Sequence, residues 1–321
     1  TTGNYNTATG AEALLANTTG TRNIAIGYRA YDAADTEDDN LAIGYDALGG
    51  AVAGGTKNIA IGNYSLDANT SGINNTAIGY DAMTTNIGGD KNTSVGFQSL
   101  QANTEGNKNV AVGMYSMYAN TTAADNVAVG YESMKVNTTG TRNIAIGYGS
   151  YDAADTENDN LAIGYDALGG AIAGGEYNVA VGNYTLDANT GGDQNTAVGY
   201  NALTANTTGG DNTASGYEAG DVITTGDYNV IIGTSSDPSG ADAQNQIVIG
   251  YGATGTTDNT VLLGNGSITN WLPTDDNEVD LGSSSKEMKN VYVDGVTYTD
   301  AVGFGTVVMT LPTADGSADQ V

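Results

Sequence analysis

The chain has 321 residues, with nine basic and 37 acidic side chains, so its formal net charge at neutral pH is −28. A surface this acidic repels nucleic acid and anionic lipid, which argues against both as partners. The sequence contains no cysteine and no histidine, which excludes Ser-His-Asp and Cys-His catalysis and any zinc site built from those ligands.

One short phrase, N-x-A-[IV]-G, recurs every 17 residues along most of the chain. The spacing is 18 before Asn58 and Asn178 and 14 at the final repeat, where the phrase degenerates to TVLLG at Thr260. Fixed-period self-similarity predicts a solenoid of stacked coils over residues 1–264, in about sixteen repeats. The asparagine and glycine of each phrase form the predicted structural ladder: Asn23 and Gly27, Asn40 and Gly44, Asn58 and Gly62, Asn75 and Gly79, Asn109 and Gly113, Asn126 and Gly130, Asn143 and Gly147, Asn160 and Gly164.

Within a repeat the residues alternate as they do in a β-strand. In NIAIGY, Ile24 and Ile26 point to one side and Ala25 to the other, which predicts a short strand. The segment after the glycine, such as YDAL at Tyr45, predicts a second short strand, and turns such as NTTG at Asn17 close the unit. We therefore predict an all-β parallel solenoid whose coils stack about 4.8 Å apart.

Each coil offers few sizeable apolar side chains, for example Leu41, Ile43 and Leu48. They predict a thin core on the strand face that carries Leu41 and Ile43. The small residue two before the glycine, here Ala42, then lies on the opposite face. A continuous stripe of small residues permits close approach by another chain, so we expect self-association, with three chains around an axis. The alternative is that this stripe faces solvent.

A long stretch of the sequence occurs twice. Residues 17–55 return almost unchanged at 137–175, so a block of seven repeats has been duplicated. A protein that tolerates such a change in length is more consistent with a structural shaft than with an active site, whose geometry must be precise.

The repeat pattern ends near residue 265. The segment 265–321 contains the single tryptophan, Trp271, and we predict a separate β-rich neck or stem with strands at 289–293 and 305–311. We interpret the chain as an internal segment of a longer protein. No stretch approaches the roughly 18 consecutive apolar residues of a membrane span, so we expect no membrane insertion.

The repeated phrase resembles the repeat of YadA-type heads of trimeric autotransporter adhesins. That resemblance implies a left-handed parallel β-roll assembled as a homotrimer, although the coil here is longer than the usual one of the family. The segment DNEVDLGSSSKEMKNVYVDG, residues 276–295, is similar to a stretch of phage tail fibres found upstream of an intramolecular chaperone, with Met288 where tryptophan is usual.

Together the two resemblances imply a non-enzymatic segment of a viral tail fibre in the virion. Its expected partners are its own copies in a homotrimer, other tail or fibre proteins, and a glycan or protein receptor on the host surface. The alternative is the head of a bacterial trimeric autotransporter adhesin, located extracellularly on the outer surface and binding host or matrix surfaces.

Acidic clusters are the candidate metal ligands. Carboxylates of this kind bind Ca²⁺, but they are also common as solvated charges in turns, and we favour that second interpretation and expect no cofactor. Paired carboxylates could also hydrolyse a glycan, yet acids occupy most turns here, and an exposed carboxylate lacks the burial that tunes a catalytic acid. The clusters are Asp35, Glu37, Asp38 and Asp39, and in the second copy Asp155, Glu157 and Asp159.

Tyrosine often follows the glycine of the phrase. Aromatic rings can stack on sugars, so a glycan-binding face is one interpretation, while stacking between coils or packing between chains is the one we favour. The stacked asparagines are expected to hydrogen-bond from coil to coil. The tyrosines in question are Tyr28, Tyr45, Tyr80, Tyr131, Tyr148, Tyr165, Tyr200, Tyr217 and Tyr251.

Overall fold

A computed structural model describes residues 2–33, 35–50, 55–153, 155–170 and 175–269. These residues form sixteen parallel strands of three residues each, joined in one sheet whose strand order follows the chain. The predicted all-β parallel solenoid with coils of about 17 residues is therefore confirmed. The strands are β1 (Thr7–Thr9), β2 (Ile24–Ile26), β3 (Leu41–Ile43), β4 (Ile59–Ile61), β5 (Thr76–Ile78), β6 (Thr93–Val95), β7 (Val110–Val112), β8 (Val127–Val129), β9 (Ile144–Ile146), β10 (Leu161–Ile163), β11 (Val179–Val181), β12 (Thr196–Val198), β13 (Thr213–Ser215), β14 (Val230–Ile232), β15 (Ile247–Ile249) and β16 (Val261–Leu263).

Each strand pairs with the next through equivalent positions. Thr7 lies against Ile24 and Ala8 against Ala25, and the same register continues to β16. We number the coils by their strands, so coil 2 carries β2. Because the register never shifts, each position of the repeat forms a row of side chains that runs along the solenoid.

The solenoid lies in the first of two compact units, Thr1–Ile268. The predicted neck at 265–321 falls, from residue 270 onward, outside the described residues. Within the described ranges no helix has the length and apolarity needed to cross a membrane.

The predicted second strand of each coil is wrong, because a tight turn occupies that position. After the glycine of coil 3, Asp46 and Leu48 have φ values of 46° and 54°, a left-handed conformation that costs roughly 1–2 kcal/mol per residue outside glycine. The backbone remains hydrogen-bonded: Asp46 N–H donates to Tyr28 O at 3.1 Å and Leu48 N–H to Ser65 O at 2.9 Å. Bonds to both neighbouring coils therefore hold the turn in a conformation that sequence alternation does not reveal.

The predicted assignment of strand faces is also wrong. The central residues Ala25 and Ala42 are fully buried, whereas Ile24 and Ile26 are each 39% exposed. The large buried side chain of coil 3 is Leu48, which the turn carries. In β2 to β13 the turn fills the coil interior from one side, alanine or serine occupies the inward position of the strand, and the first and third strand residues point outward; in β14 and β15 the larger Ile231 and Val248 are buried at that position. The alanine row is therefore core, and it is not a surface for another chain.

Glycine ends each strand for a steric reason. Gly27 has a φ of 138°, and a β-carbon at this position would collide with the carbonyl oxygen of Gly44 in the next coil. The glycine row thus allows successive backbones to approach closely where the chain leaves the sheet.

The two 18-residue spacings coincide with a buried tyrosine. Tyr31 is fully buried where most coils place leucine or methionine, and its hydroxyl accepts a hydrogen bond from Asn40 Nδ2 at 2.5 Å. Asn40 Nδ2 also reaches the Gly55 carbonyl, fifteen residues ahead, whereas Asn58 reaches Gly72, fourteen ahead. The extra residue therefore falls between Asn40 and Gly55, in the coil that follows Tyr31. The second copy repeats the arrangement with Tyr151 and Asn160 at 2.7 Å.

Candidate functional site

The outward side chains of the sheet form one long uncharged face. We call the first and third residues of β1–β16 the outer face, and all of them are Ile, Val, Leu, Thr or Ser. Ile59, Ile78 and Val198, for example, expose 37%, 36% and 41% of their surface. With strands stacked about 4.8 Å apart, sixteen of them give a face about 75 Å long. An uninterrupted uncharged strip of this length stands out on a chain with a net charge of −28.

Basic side chains border this face. The residue before the ladder asparagine is basic in coils 2, 4, 6, 7 and 9, and five of the nine Lys and Arg residues lie there: Arg22, Lys57, Lys91, Lys108 and Arg142. Two of them make bidentate ion pairs with the next coil, Arg22 with Asp39 at 2.5 and 2.8 Å and Arg142 with Asp159 at 2.6 Å. These exposed pairs tie neighbouring coils together, at a modest energy because solvent screens them.

An unbroken row of twelve aromatic rings runs along coils 2 to 13. Neighbouring ring centroids are 4.9 to 6.3 Å apart. Where the residue after the glycine is not aromatic, at Asn63, Met114 and Asn183, the next residue supplies the ring. The row consists of Tyr28, Tyr45, Tyr64, Tyr80, Phe97, Tyr115, Tyr131, Tyr148, Tyr165, Tyr184, Tyr200 and Tyr217.

Most of the predicted tyrosines therefore lie in one row, but Tyr251 does not, and it is 75% exposed. Sequence reasoning missed the four rings Tyr64, Phe97, Tyr115 and Tyr184. The signal that could have found them was an aromatic residue at either of the two positions after the glycine in each of coils 2 to 13.

The rings contact one another. Tyr148 and Tyr165 stack with an interplanar angle of 4°, and Phe97 and Tyr115 meet edge to face at 88°. These distances and angles are those of favourable aromatic pairs. A sugar that stacked on a ring face would compete with the neighbouring ring, so a glycan would meet mainly ring edges and hydroxyl groups. Burial, then neighbouring phenols and carboxylates, raises the pKa of Tyr64, which keeps that phenol neutral.

The ladder asparagines lie inside the solenoid and connect successive coils. Asn109 is fully buried; its N–H donates to Asn92 Oδ1 at 2.9 Å and its Nδ2 to the Ala123 carbonyl at 2.8 Å. The arrangement recurs along the described coils, so each side chain pairs with two backbone groups further along the chain, the N–H of the next ladder asparagine and a carbonyl about fourteen residues ahead. The same geometry applies to Asn23, Asn40, Asn58, Asn75, Asn126, Asn143 and Asn160.

A second asparagine row was missed by sequence reasoning. The first residue of the NTTG-type turns stacks in the same way: Asn86 Nδ2 donates to Asn69 Oδ1 at 2.8 Å, and Asn103 Nδ2 to Asn86 Oδ1 at 2.7 Å. The recurrence of asparagine at the start of these turns was the available signal.

The side chains of the acidic clusters accept hydrogen bonds from residues in the turns. Asp38 Oδ1 accepts the N–H and hydroxyl of Thr21 at 2.6 and 2.8 Å, and these bonds lower the pKa of Asp38. Arg22 lowers the pKa of Asp39, and Glu37 accepts two backbone N–H groups of its own turn. The described ranges contain no group of three or more acids placed to hold a metal ion. Calcium binding therefore stays a hypothesis to which the described coils assign no site.

Half-buried carboxylates form another group that the sequence did not single out. Burial, then a neighbouring acid, raises the pKa of Asp152 and of Asp237 to about 6. Burial also raises the pKa of Asp67 and Asp187. Each of these acids lies in a turn that faces an acid of an adjacent coil.

No protein-family model and no curated protein matches this chain.

Proposed function

We propose that the chain is a structural and adhesive segment of a viral tail fibre, in which three copies associate along their outer faces and hold or form the surface that contacts the host receptor. The main support for this proposal is the outer face. It is continuous from β1 to β16 and carries no charged residue, and it includes Ile24, Ile26, Ile144 and Ile146, each 39% exposed.

The area of the face supports association. Strands of three residues at about 3.3 Å per residue, over about 75 Å of length, give roughly 700 Å². The largest apolar patch on a typical monomer is about 300–600 Å², and a stable interface buries about 800 Å² per partner. The neighbouring aromatic row adds to the area, so burial of this face against other copies reaches the range of specific interfaces.

A second copy is the partner that fits this face. The side-chain rows repeat at the strand spacing, and another solenoid with the same rise keeps matching contacts over sixteen coils. The charge of −28 per chain limits association through any other surface, because like charges repel. Closed cyclic symmetry lets each copy bury its face without an open filament, and we propose three copies in agreement with the resemblance to trimeric β-roll heads.

Residues 276–295 favour a viral fibre over a bacterial adhesin, because their sequence is similar to a stretch found in phage tail fibres. The alternative, the head of a bacterial trimeric adhesin, shares the coil phrase and would use the same outer face. The full reading frame decides between them. A downstream chaperone domain and neighbouring baseplate genes would support the fibre, and a downstream coiled-coil stalk with a membrane anchor would support the adhesin.

Assembly is tested by light scattering on the purified chain. We expect a particle of three times the chain mass of 32.4 kDa. Ile146→Lys puts a charge in the middle of the outer face without touching the core, and should yield monomers that keep the β circular-dichroism spectrum. Thr122→Lys adds the same charge at an exposed turn and should leave the trimer intact. A monomeric wild-type chain, or equal behaviour of the two variants, would overturn the proposed assembly.

Adhesion is tested separately. The labelled trimer is expected to bind susceptible host cells without releasing sugars from their surface polysaccharide. Release of reducing sugar by the purified chain would contradict the non-enzymatic role.

A further inference from the structure

The outer face is apolar from β2 onward except at two small groups of threonines. In β5 and β6 the first strand residues, Thr76 and Thr93, lie side by side in the sheet. Thr196 and Thr213 do the same in β12 and β13. We call these pairs the first and the second threonine patch. Among the other first and third residues of the described strands β2 to β16, only Ser215, in the same strand as Thr213, is polar.

The hydroxyl groups of the two patches have no partner within the described part of the chain. Threonine hydroxyls in the turns behave differently, since they donate to the next coil, as Thr104 Oγ1 does to the Thr121 carbonyl at 3.1 Å. The patch side chains are half-buried or exposed. Water therefore satisfies their hydroxyls in a single chain, and covering the outer face removes that water.

The loss of water makes the patches sensitive to what lies opposite them. A hydroxyl that is dehydrated without gaining a hydrogen bond destabilises an interface. The Ile, Val and Leu side chains of the outer face offer no such bond, and the strand backbones are already paired within the sheet. Hydroxyl groups of another copy at the same height therefore satisfy a patch best.

This requirement distinguishes one alignment of the copies from the others. When equal coils lie at equal height, every patch meets the same patch of its neighbours. A displacement by one coil brings half of the patch threonines to the height of apolar strands. The second patch follows the first by 120 residues and seven coils, so a displacement by seven coils sets one patch against the other. That alignment leaves seven coils of each copy uncovered, and it buries less apolar area.

We propose that the two threonine patches fix the axial register of the copies, through hydrogen bonds between hydroxyl groups that form when equal coils lie at equal height. The partners are further copies of this chain, so the inference rests on the proposed function and specifies how its interface is aligned. A threonine hydroxyl both donates and accepts, so three of them around an axis satisfy one another in a closed ring. Polar residues within an apolar interface select one register at some cost in stability.

Moving one patch tests this role. The shifted variant moves the first patch by two coils and leaves the second in place. No one displacement then aligns both patches with those of the wild type, so sliding cannot rescue a mixed trimer. Equal amounts of the wild type and a tagged shifted variant are unfolded together, refolded and analysed by native mass spectrometry. The substitutions are Thr76→Val, Thr93→Val, Val110→Thr and Val127→Thr.

We expect the shifted variant to form trimers by itself, because its own patches are aligned, and to sort away from the wild type. Mixed trimers should be at least about tenfold rarer than for a control variant, since each mixed trimer leaves several hydroxyls unpaired. The control makes the same exchange at exposed positions outside the outer face, and it should mix with the wild type at random. Its substitutions are Thr122→Val, Thr139→Val, Val136→Thr and Val222→Thr.

Circular dichroism of each variant establishes that the coils are folded. Mixed trimers that are as frequent with the shifted variant as with the control would overturn this inference and leave the proposed assembly standing. A folded shifted variant that stays monomeric would also overturn it, whereas a monomeric wild type would overturn the proposed assembly as well. If the shifted variant does not fold, an exchange in the second block decides the outcome in the same way. That exchange consists of Thr196→Val, Thr213→Val, Val179→Thr and Val230→Thr.

Discussion

The side-chain oxygen of Asn92 accepts the backbone N–H of Asn109 at 2.9 Å in the buried interior. Asn109 in turn accepts the N–H of Asn126 at 3.1 Å. Each ladder asparagine thus occupies the place that a backbone carbonyl would take in a longer strand. This continuation of the sheet through side chains explains how strands of three residues suffice to hold a coil.

Asn109→Ala tests this role. The change leaves the N–H of Asn126 without a partner and the carbonyl of Ala123 with only the long bond from Asn120 Nδ2 at 3.5 Å, and unpaired buried groups cost about 1–3 kcal/mol each. We expect the free energy of unfolding to fall by roughly 2–4 kcal/mol, measured by denaturation followed by circular dichroism. Thr122→Ala, which removes an exposed hydroxyl, serves as the control. Equal midpoints for the two variants would show that the asparagine row contributes little.

The inverted strand faces are tested by enlarging adjacent residues. Ala111 is fully buried and Val112 lies on the outer face. Ala111→Leu should overpack the interior and destabilise the fold by about 1–3 kcal/mol. Val112→Leu should leave the unfolding midpoint of the monomeric solenoid nearly unchanged. A larger loss for Val112→Leu in thermal melts would mean that the outer residues carry the core.

The aromatic row should contribute stability where rings have two neighbours. Phe97 lies 5.5 Å from Tyr80 and 5.6 Å from Tyr115, whereas Tyr251 takes no part in the ring pairs among the described residues. Since each aromatic pair contributes about 0.5–1.5 kcal/mol, Phe97→Ala should destabilise by roughly 1–3 kcal/mol. Tyr251→Ala should be almost neutral. Urea titrations that ranked the two variants in the opposite order would refute the stabilising role.

The half-buried acids predict a pH dependence of definite sign. The pKa of Asp152 in the folded chain is about 6, above the value of about 3.9 for an unfolded aspartate. The folded state therefore holds the proton more tightly, and the stability from this group is present below about pH 4 and lost as the pH rises through about 6.

Asp152→Asn removes this titration. At pH 7 the variant should be more stable than the wild type, by on the order of 1 kcal/mol once partial exposure is allowed for. The advantage should shrink towards pH 4, and parallel melts at both pH values measure it. An advantage that grew as the pH fell would reverse the sign and refute the raised pKa.

The sequence was sufficient to predict the period, the parallel stacking and the number of coils, because a repeat of constant length can satisfy its backbone only by pairing with its neighbours. It was not sufficient to decide which face of the strand points inward. The alternation of Ile24, Ala25 and Ile26 defines two strand faces. Which face points inward depends on where the large buried residues such as Leu48 lie, and those residues occupy left-handed turns that show no two-residue alternation in the sequence.

The hydrogen bonds between strands run along the long axis of the solenoid, and every coil is bonded only to its two neighbours. Tension applied at the ends is carried in series by the bonds between successive coils, so one coil can detach without breaking the bonds between the remaining coils. Each release of 17 residues adds roughly 50 Å of extended chain. A sheet connected in this way lengthens stepwise under force, one coil at a time.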